Sequence, residues 1–390
     1  MKRKCKGVDI TNRELVKRAV LECLHPAKKR QRGDTRRLFS QLLHVKPAVA
    51  RQALMERGEV YMRGVELLVD MLTERIRARK LELRPVYQKR RMDPSSRKVR
   101  KISVLSIEQL LLDHVAVAGL SELGRRIGEY QVSSIPQRGA HYGKRAVERW
   151  LRKSSCRYAC KLDVRDFYGS IKRPLLLNWL HKHVKNRPLL WLVGQLLYMA
   201  PEGMAIGSYL SQTLANIYLS ELYHLAMERC VSKRGGRQVS HALFYMDDML
   251  LLGSNKRQLR YAAFRLMEQA GELGLQVKPS WQVWRVEVRH PVDMMGFRFS
   301  ACRTTLRKRV FKAARRVLLR AARKLERGGY MGLRCAFRLA SYNGYTAATD
   351  CHMFLERVGA RFLYNKAFKK ISHGKGKIHK GAGAGADSEA

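Results

Sequence analysis

The chain has 390 residues, 46% of them hydrophobic, and carries 78 Lys and Arg against 32 Asp and Glu, a formal charge of +46. That length and apolar content predict two or three packed subdomains, and the lack of any run of about 18 apolar residues excludes a membrane-spanning helix. Self-repulsion on this scale must be offset by a polyanion, and nucleic acid is favoured over a membrane surface because no apolar anchor accompanies the charge.

The N-terminus, MKRKCKGVDITNREL, has basic residues with no apolar run behind them, so no leader is expected and the protein is expected to be cytoplasmic. Its eight cysteines include no CxxC pair, Cys156 and Cys160 being the only close neighbours. They are expected to be reduced thiols, with zinc disfavoured. Residues 1–80 place apolar side chains such as Leu38, Leu42, Val65, Leu68, Leu72 and Ile76 at spacings of three and four, which predicts a basic helical region. Residues 81–105 switch to short alternating runs around Pro85 and Pro94 and predict a hairpin ending in RKVRKISV. Alternation puts Lys98 and Arg100 on one face of its second strand, where a plain solvated edge is the competing reading.

In PQRGAHYGKRAVERWL (136–151), Gly139 and Gly143 allow close backbone approach, and Arg138, His141 and Lys144 line a loop entering a helix, an arrangement suited to phosphate. From Tyr158 the segment RYACKLDVRDFY reads as a strand with Asp163 at its apolar end. A lone Asp there is ordinarily a turn or cap residue. It gains meaning from SHALFYMDDMLLLG, a hairpin with one strand ending at Tyr245 and the next beginning near Asp248, so that its tip presents two adjacent acids among apolar residues. Buried carboxylates are costly unless paired or metal-bound. If the strand ending at Asp163 lies beside that hairpin, three carboxylates converge with neutral or apolar walls behind them. Such oxygen donors suit Mg²⁺, and two such ions can stabilise the attacking and leaving oxygens of a displacement at phosphorus. Further on, FKAARRVLLRAARKLE (311–326) is a basic amphipathic helix, with Phe311, Ala314, Leu318, Ala322 and Leu325 on one face. A membrane-surface helix has the same pattern.

These residues carry a resemblance. Tyr245-Met246-Asp247-Asp248 resembles the YxDD box of reverse transcriptases, and KLDVRDFYGSI resembles that family's first catalytic motif, with an aromatic, Tyr168, five residues after Asp163. AIGSYLSQTLANIYLSELY (205–223), GLQVKPSW and MMGFRF (294–299) resemble its template-and-nucleotide helix, its Lys-bearing motif and its primer grip, in the family's order over roughly residues 85–365.

The resemblance implies an α+β right-hand polymerase: a basic helical N-terminal region (1–80), fingers (81–157), a palm (158–305, with an insertion at about 172–200), a helical thumb (306–366) and a flexible tail (367–390). It implies that Asp163, Asp247, Asp248 and the Val164 carbonyl hold two Mg²⁺ ions, with Mn²⁺ a possible substitute, and that Lys278 protonates the leaving pyrophosphate. Lys98 and Arg100 would grip the triphosphate. Tyr168 would exclude a 2′-hydroxyl, its alternative being an ordinary core aromatic, and Ile206, Gly207 and Gln212 would flank the nucleotide. Arg138 and Lys144 would contact template, Gly296 the primer, and Arg315 and Arg316 the duplex. The implied partners are a structured template RNA, a cDNA/RNA duplex and dNTPs, with no membrane.

Within the family, Ile206-Gly207-Ser208-Tyr209-Leu210-Ser211-Gln212 departs from the retroviral form, which has Gln before that Gly, and from the group II intron form, which has Ser-Pro at Ser211-Gln212. It resembles the enzymes of diversity-generating retroelements, which copy a template repeat with errors at adenine and usually work with a small basic accessory protein. The chain ends soon after the thumb, so RNase H, endonuclease and extra DNA-binding domains are not expected. Competing readings are an intron-like, antiphage or CRISPR-associated reverse transcriptase, and a non-catalytic RNA-binding protein of the same fold.

Overall fold

In a computed structural model, residues 3–25, 33–92, 99–232 and 235–380 are described, the side chains of 374–380 excepted. The chain folds as two units, residues 1–143 with 160–283, and residues 144–159 with 284–390.

The first unit begins with four helices, α1 (Arg13–Cys23), α2 (Gly33–Leu43), α3 (Pro47–Glu56) and α4 (Glu59–Arg77). Their apolar stripes are the ones read from the sequence, Val65, Leu68, Leu72 and Ile76 of α4 all being buried. The antiparallel hairpin of β1 (Tyr87–Met92) and β2 (Val99–Val104) follows, its strands exposed until Ser103. Helix α5 (Ile107–Gly119) starts where the Ser106 hydroxyl accepts from the Gln109 N–H, and it is apolar on nearly every face. It is therefore a core helix. α1 packs against both α4 and α5, so the N-terminal helices share the first unit instead of standing apart as residues 1–80. A short α6 (Ser121–Gly124) and strand β3 (Gln131–Val132) lead to α7 (Ala140–Leu151).

Strand β4 (Tyr158–Asp163) precedes α8 (Phe167–Ser170), α9 (Arg173–His183), α10 (Arg187–Tyr198) and α11 (Tyr209–His224). The hairpin of β5 (His241–Tyr245) and β6 (Asp248–Gly253), helix α12 (Lys256–Glu272) and β7 (Gln282–Arg285) complete a five-stranded sheet of order β3-β5-β6-β4-β7. That order is the feature that matters. It sets β4 directly beside the strand that begins at Asp248. Residues 249–253 are buried without a break, as expected of a central strand covered on both faces.

The second unit holds an antiparallel sheet of β8 (Val292–Met294), β9 (Phe297–Phe299) and β10 (Thr304–Leu306). Met295 and Gly296 turn the β8–β9 hairpin with φ of 55° and 89°, the conformation of a two-residue primed turn. Beyond it lie α13 (Lys308–Glu326), α14 (Leu333–Thr346), α15 (His352–Arg357) and α16 (Ala360–Lys380). Their core includes Leu318, Leu339, Ala360, Leu363 and Ala367. Strands β8–β10 group with these helices, and the division between the two units falls at 283/284. Among the described residues no helix is long and apolar enough to cross a membrane.

One buried acid fixes the approach to α11. Asp113, 1% exposed in apolar α5, accepts from Ser208 Oγ at 2.7 Å and from the Tyr209 N–H at 3.1 Å, while Ser208 itself caps the helix by accepting from the Ser211 N–H. Bonds to a buried carboxylate are worth about 1.5–3 kcal/mol each. Asp113→Leu is expected to lower the unfolding free energy in urea by about 3 kcal/mol. Asp113→Asn keeps a carbonyl acceptor and should lose clearly less; equal losses would show that packing, not the bonds, matters there.

Candidate active site

The site is assembled by strand ends. The apolar run of β4 ends on Asp163, whose carbonyl accepts from the Lys278 N–H at 2.8 Å, and the Arg165 N–H donates to the Gln276 carbonyl at 2.7 Å. The β5–β6 hairpin pairs Tyr245 with Asp248 across a two-residue tip, Met246-Asp247, with Met246 at φ 54°. The buried Val164 donates its N–H to the Asp247 carbonyl at 3.3 Å, tying that tip to the end of β4. The end of β4 is thereby joined to the acidic tip, close enough for Asp163 and Asp247 to feel each other's charge.

The surroundings differ from the expected neutral walls. Lys161, two residues before Asp163 and so on the same face of β4, stands 3.1 Å from Asp248 Oδ1. Lys278 Nζ donates to Asp163 Oδ1. Two ammonium groups thus accompany three carboxylates, because acids held this close repel one another unless cations stand between them. Lys278 is thus a partner of Asp163, with its side chain still partly exposed.

Burial governs the site's protons. It pushes Asp248 up to about 6, against the pull of Lys161. Asp247 is raised too, by burial and then by Asp163, while Lys278 and Arg100 oppose the shift. Arg100, exposed on β2, is thus within electrostatic reach of the hairpin tip, whereas Lys98 lies outside the described residues. Tyr168, half-buried on α8, is pushed up to about 12 by burial and by Asp247, so its hydroxyl stays protonated, 4.0 Å from Met246 Sδ.

Asp248 Oδ1 is buried, with the Lys161 ammonium as its charged partner. Repelling, partly desolvated oxygen donors of this kind fit Mg²⁺. As the side chains stand, Asp163 and Asp248 each lean on a lysine. Among the described residues no three His, Cys, Asp or Glu side chains close into a metal-holding group.

The loop before α11 lies against the β1–β2 hairpin. The Ser103 N–H donates to the Ile206 carbonyl at 3.0 Å, leaving Ile206 half-buried. Gly207 has φ 113°, and a Cβ there would stand 3.2 Å from the Ser103 carbonyl oxygen, so both conformation and approach favour glycine. Gln212 is half-buried in the first turn of α11.

Other expected contacts are placed differently. Arg138 donates from Nη1 to the Gly128 carbonyl at 3.0 Å, which makes it in part a loop bracket. Lys144 is not presented to solvent: it sits inside α7, 8% exposed, paired with Glu148 at 2.8 Å, because the four-residue spacing brings acid and base together on one helix face. Within the second unit, the Gly296 carbonyl accepts from the Arg307 N–H at 2.9 Å, and Arg315 and Arg316 are exposed on α13, away from buried Ala314, Val317 and Leu318.

Two residues escaped the sequence reading. Lys161 was signalled by its place two residues before Asp163, and Asp113 by being an acid set inside the apolar run LLLDHVAVA.

The raised Asp248 carboxyl has a consequence for stability. The folded protein holds this proton up to about pH 6 and an unfolded chain loses it near the ordinary 3.8, so stability falls as pH rises through that interval. Asp248→Asn removes the cost. Without divalent cations the variant should melt above the wild type at about pH 7.5, with the gap closing as pH falls to about 4. A gap unchanged by pH would rule out the buried carboxylate as its source.

Residues 88–299 match the family described as reverse transcriptase (RNA-dependent DNA polymerase). Similar solved structures include an RdRp complex, 11% identical over 66% of this chain and 26% of that one with a TM-score of 0.44. Another is the BmCPV RNA-dependent RNA polymerase at elongation state, 11% identical over 76% of this chain and 29% of that one with a TM-score of 0.43. The chain thus spans under a third of the length of either. No curated protein matches it in sequence. The family match runs over more than half of the chain and takes in the β4 terminus, the loop before α11 and the acidic hairpin. With its right-hand polymerase fold, this chain belongs to the reverse transcriptase family, the RNA-dependent DNA polymerases.

Proposed function

We propose that the protein copies a structured template RNA into cDNA by two-metal nucleotidyl transfer, as the error-prone polymerase of a diversity-generating retroelement. The observation that carries the polymerase reading is the meeting of Asp163, Asp247 and Asp248 at adjoining strand ends, in an otherwise strongly basic chain. A protein that only bound RNA would gain nothing from acids there, since they repel phosphate.

In this reading Asp163, Asp247, Asp248 and the Val164 carbonyl hold two Mg²⁺ ions, or Mn²⁺ in their place, which supply charge stabilisation at the reacting phosphate. Lys278, freed from Asp163, stands ready to give a proton to the departing pyrophosphate. Arg100 of β2, together with Lys98, grips the triphosphate through charge-assisted bonds. Tyr168 presents its ring as a wall against a 2′-hydroxyl. Gly207 lets the nucleotide approach the backbone, and Ile206 and Gln212 flank it. Gly296 lies at the primer end, and exposed Arg315 and Arg316 run along the cDNA/RNA duplex. A small basic accessory protein completes the assembly.

Asp247→Asn should reduce Mg²⁺-dependent primer extension on an RNA template by on the order of 10³-fold, the loss of several kcal/mol of charge stabilisation. RNA affinity should hold, because it comes from many Lys and Arg contacts and counterion release. Full-length extension by the variant would sink the assignment.

The retroelement reading rests on Ile206. An aliphatic side chain supplies packing but no hydrogen bond, so correct and incorrect pairs differ less in the transition state, and each 1.4 kcal/mol of lost difference costs about tenfold in selectivity. Wild-type cDNA is expected to carry errors concentrated opposite template adenine, and Ile206→Gln to lower them by about three- to tenfold, the worth of one neutral hydrogen bond. Sequencing cDNA made by both proteins from a defined RNA decides this. Few adenine errors in the wild type would leave an ordinary reverse transcriptase.

A further inference from the structure

Within the second unit, the end of α14, α15 and the first turns of α16 enclose an open groove of about 700 Å³. Helix α16 turns Ala360, Leu363, Tyr364 and Ala367 into the core, and that stripe accounts for its folding. It does not account for Phe362 and Phe368. Both line the groove, and they are 62% and 44% exposed, although burying a Phe side chain is worth about 1.5–3 kcal/mol.

The rest of the lining decides what fits. Asn343 and Asn365 present amides that both donate and accept, Arg361 lines the groove with them, and one acid, Glu356, lines it too. Lys366 Nζ stands 5.5 Å from the centre of the Phe362 ring. Residues 308–373 contain sixteen Lys and Arg against three Asp and Glu. A lipid surface would leave the two amides without partners, and a hydrophobic peptide, although its backbone can pair with amides, would leave the surrounding cations without counter-charge. Flat rings, base-edge donors and acceptors, and cations for a phosphate backbone are the combination by which proteins hold single-stranded nucleic acid.

We propose that this groove is a binding site for unpaired bases of RNA, with Phe362 and Phe368 as stacking platforms, Asn343 and Asn365 reading base edges and Arg361 neutralising a phosphate. Such a site takes a single-stranded segment of the RNA and does not use the catalytic carboxylates. It would hold a structured RNA on the protein while another part of that RNA is copied.

The test uses the full chain and a single-stranded RNA 12-mer carrying 5-iodouridine, which crosslinks to aromatic side chains under light. Adducts at Phe362 or Phe368, mapped by mass spectrometry, are expected, and they should vanish in the Phe362→Leu/Phe368→Leu variant. Two stacking contacts are worth about 1–3 kcal/mol each, so affinity for the 12-mer should fall at least about tenfold. Arg361→Gln should reduce the salt dependence of binding by about one phosphate contact. Thermal melting and primer extension on a short template should stay at wild-type values, since these side chains are exposed. Crosslinks confined to residues outside 343–368, or an unchanged affinity in the double variant, would overturn the proposal. So would binding of the groove to phosphatidylserine vesicles in preference to the RNA. Failure of the wild type to extend a primer would bear on the polymerase reading alone, because crosslinking needs no synthesis.

Discussion

Everything near the acidic hairpin follows from the cost of holding three carboxylates together where water is scarce. Burial and mutual repulsion both raise the carboxyls of Asp247 and Asp248, and neither effect is relieved by packing. Relief comes from charge, from Lys161 on one side and Lys278 on the other. Geometry comes from the backbone. The Val164 N–H on the Asp247 carbonyl, and the Lys278 N–H on that of Asp163, fix where the acids emerge without using their side chains. The carboxyl groups of Asp163 and Asp248 are each left with a lysine as partner.

The same balance explains why acids are few elsewhere. A chain at +46 holds a polyanion by many dispersed contacts, each worth little alone, and additional surface Asp or Glu would neutralise them. Ion pairs that do occur on the surface, such as Arg13 with Glu66, contribute little in high dielectric. Where charge is buried the outcome is different. Lys144 and Glu148 satisfy each other inside α7, and Arg138 is held by a backbone carbonyl, so neither can be counted as part of a polyanion surface from its residue type alone.

That distinction marks what the sequence discloses. The hairpin was legible because two unbroken apolar runs, 242–244 and 249–252, flank a short acidic turn between Tyr245 and Asp248. The position of Asp163 was legible only conditionally, since strand order is a long-range property that a local pattern does not contain. Lys161 was missed for a related reason: on paper it is one basic residue among 78, and only pairing across the sheet gives it Asp248 as a partner. The division into two units is likewise a property of packing that motif order does not contain, since β8–β10 group with the helices that come after them.

The loop at Ile206 and Gly207 shows how far such long-range control extends. Its carbonyl is held by Ser103 of β2, and its helix start is held by Asp113 of α5, so two elements more than 90 residues upstream set where Ile206 stands. Gly207 then admits no side chain between the loop and β2 without strain at φ 113°. A residue in this position acts by where its backbone is held as much as by what its side chain offers. The position of Ile206 is accordingly a joint property of three segments, and movement of β2 relative to α5 would alter it with Ile206 itself unchanged.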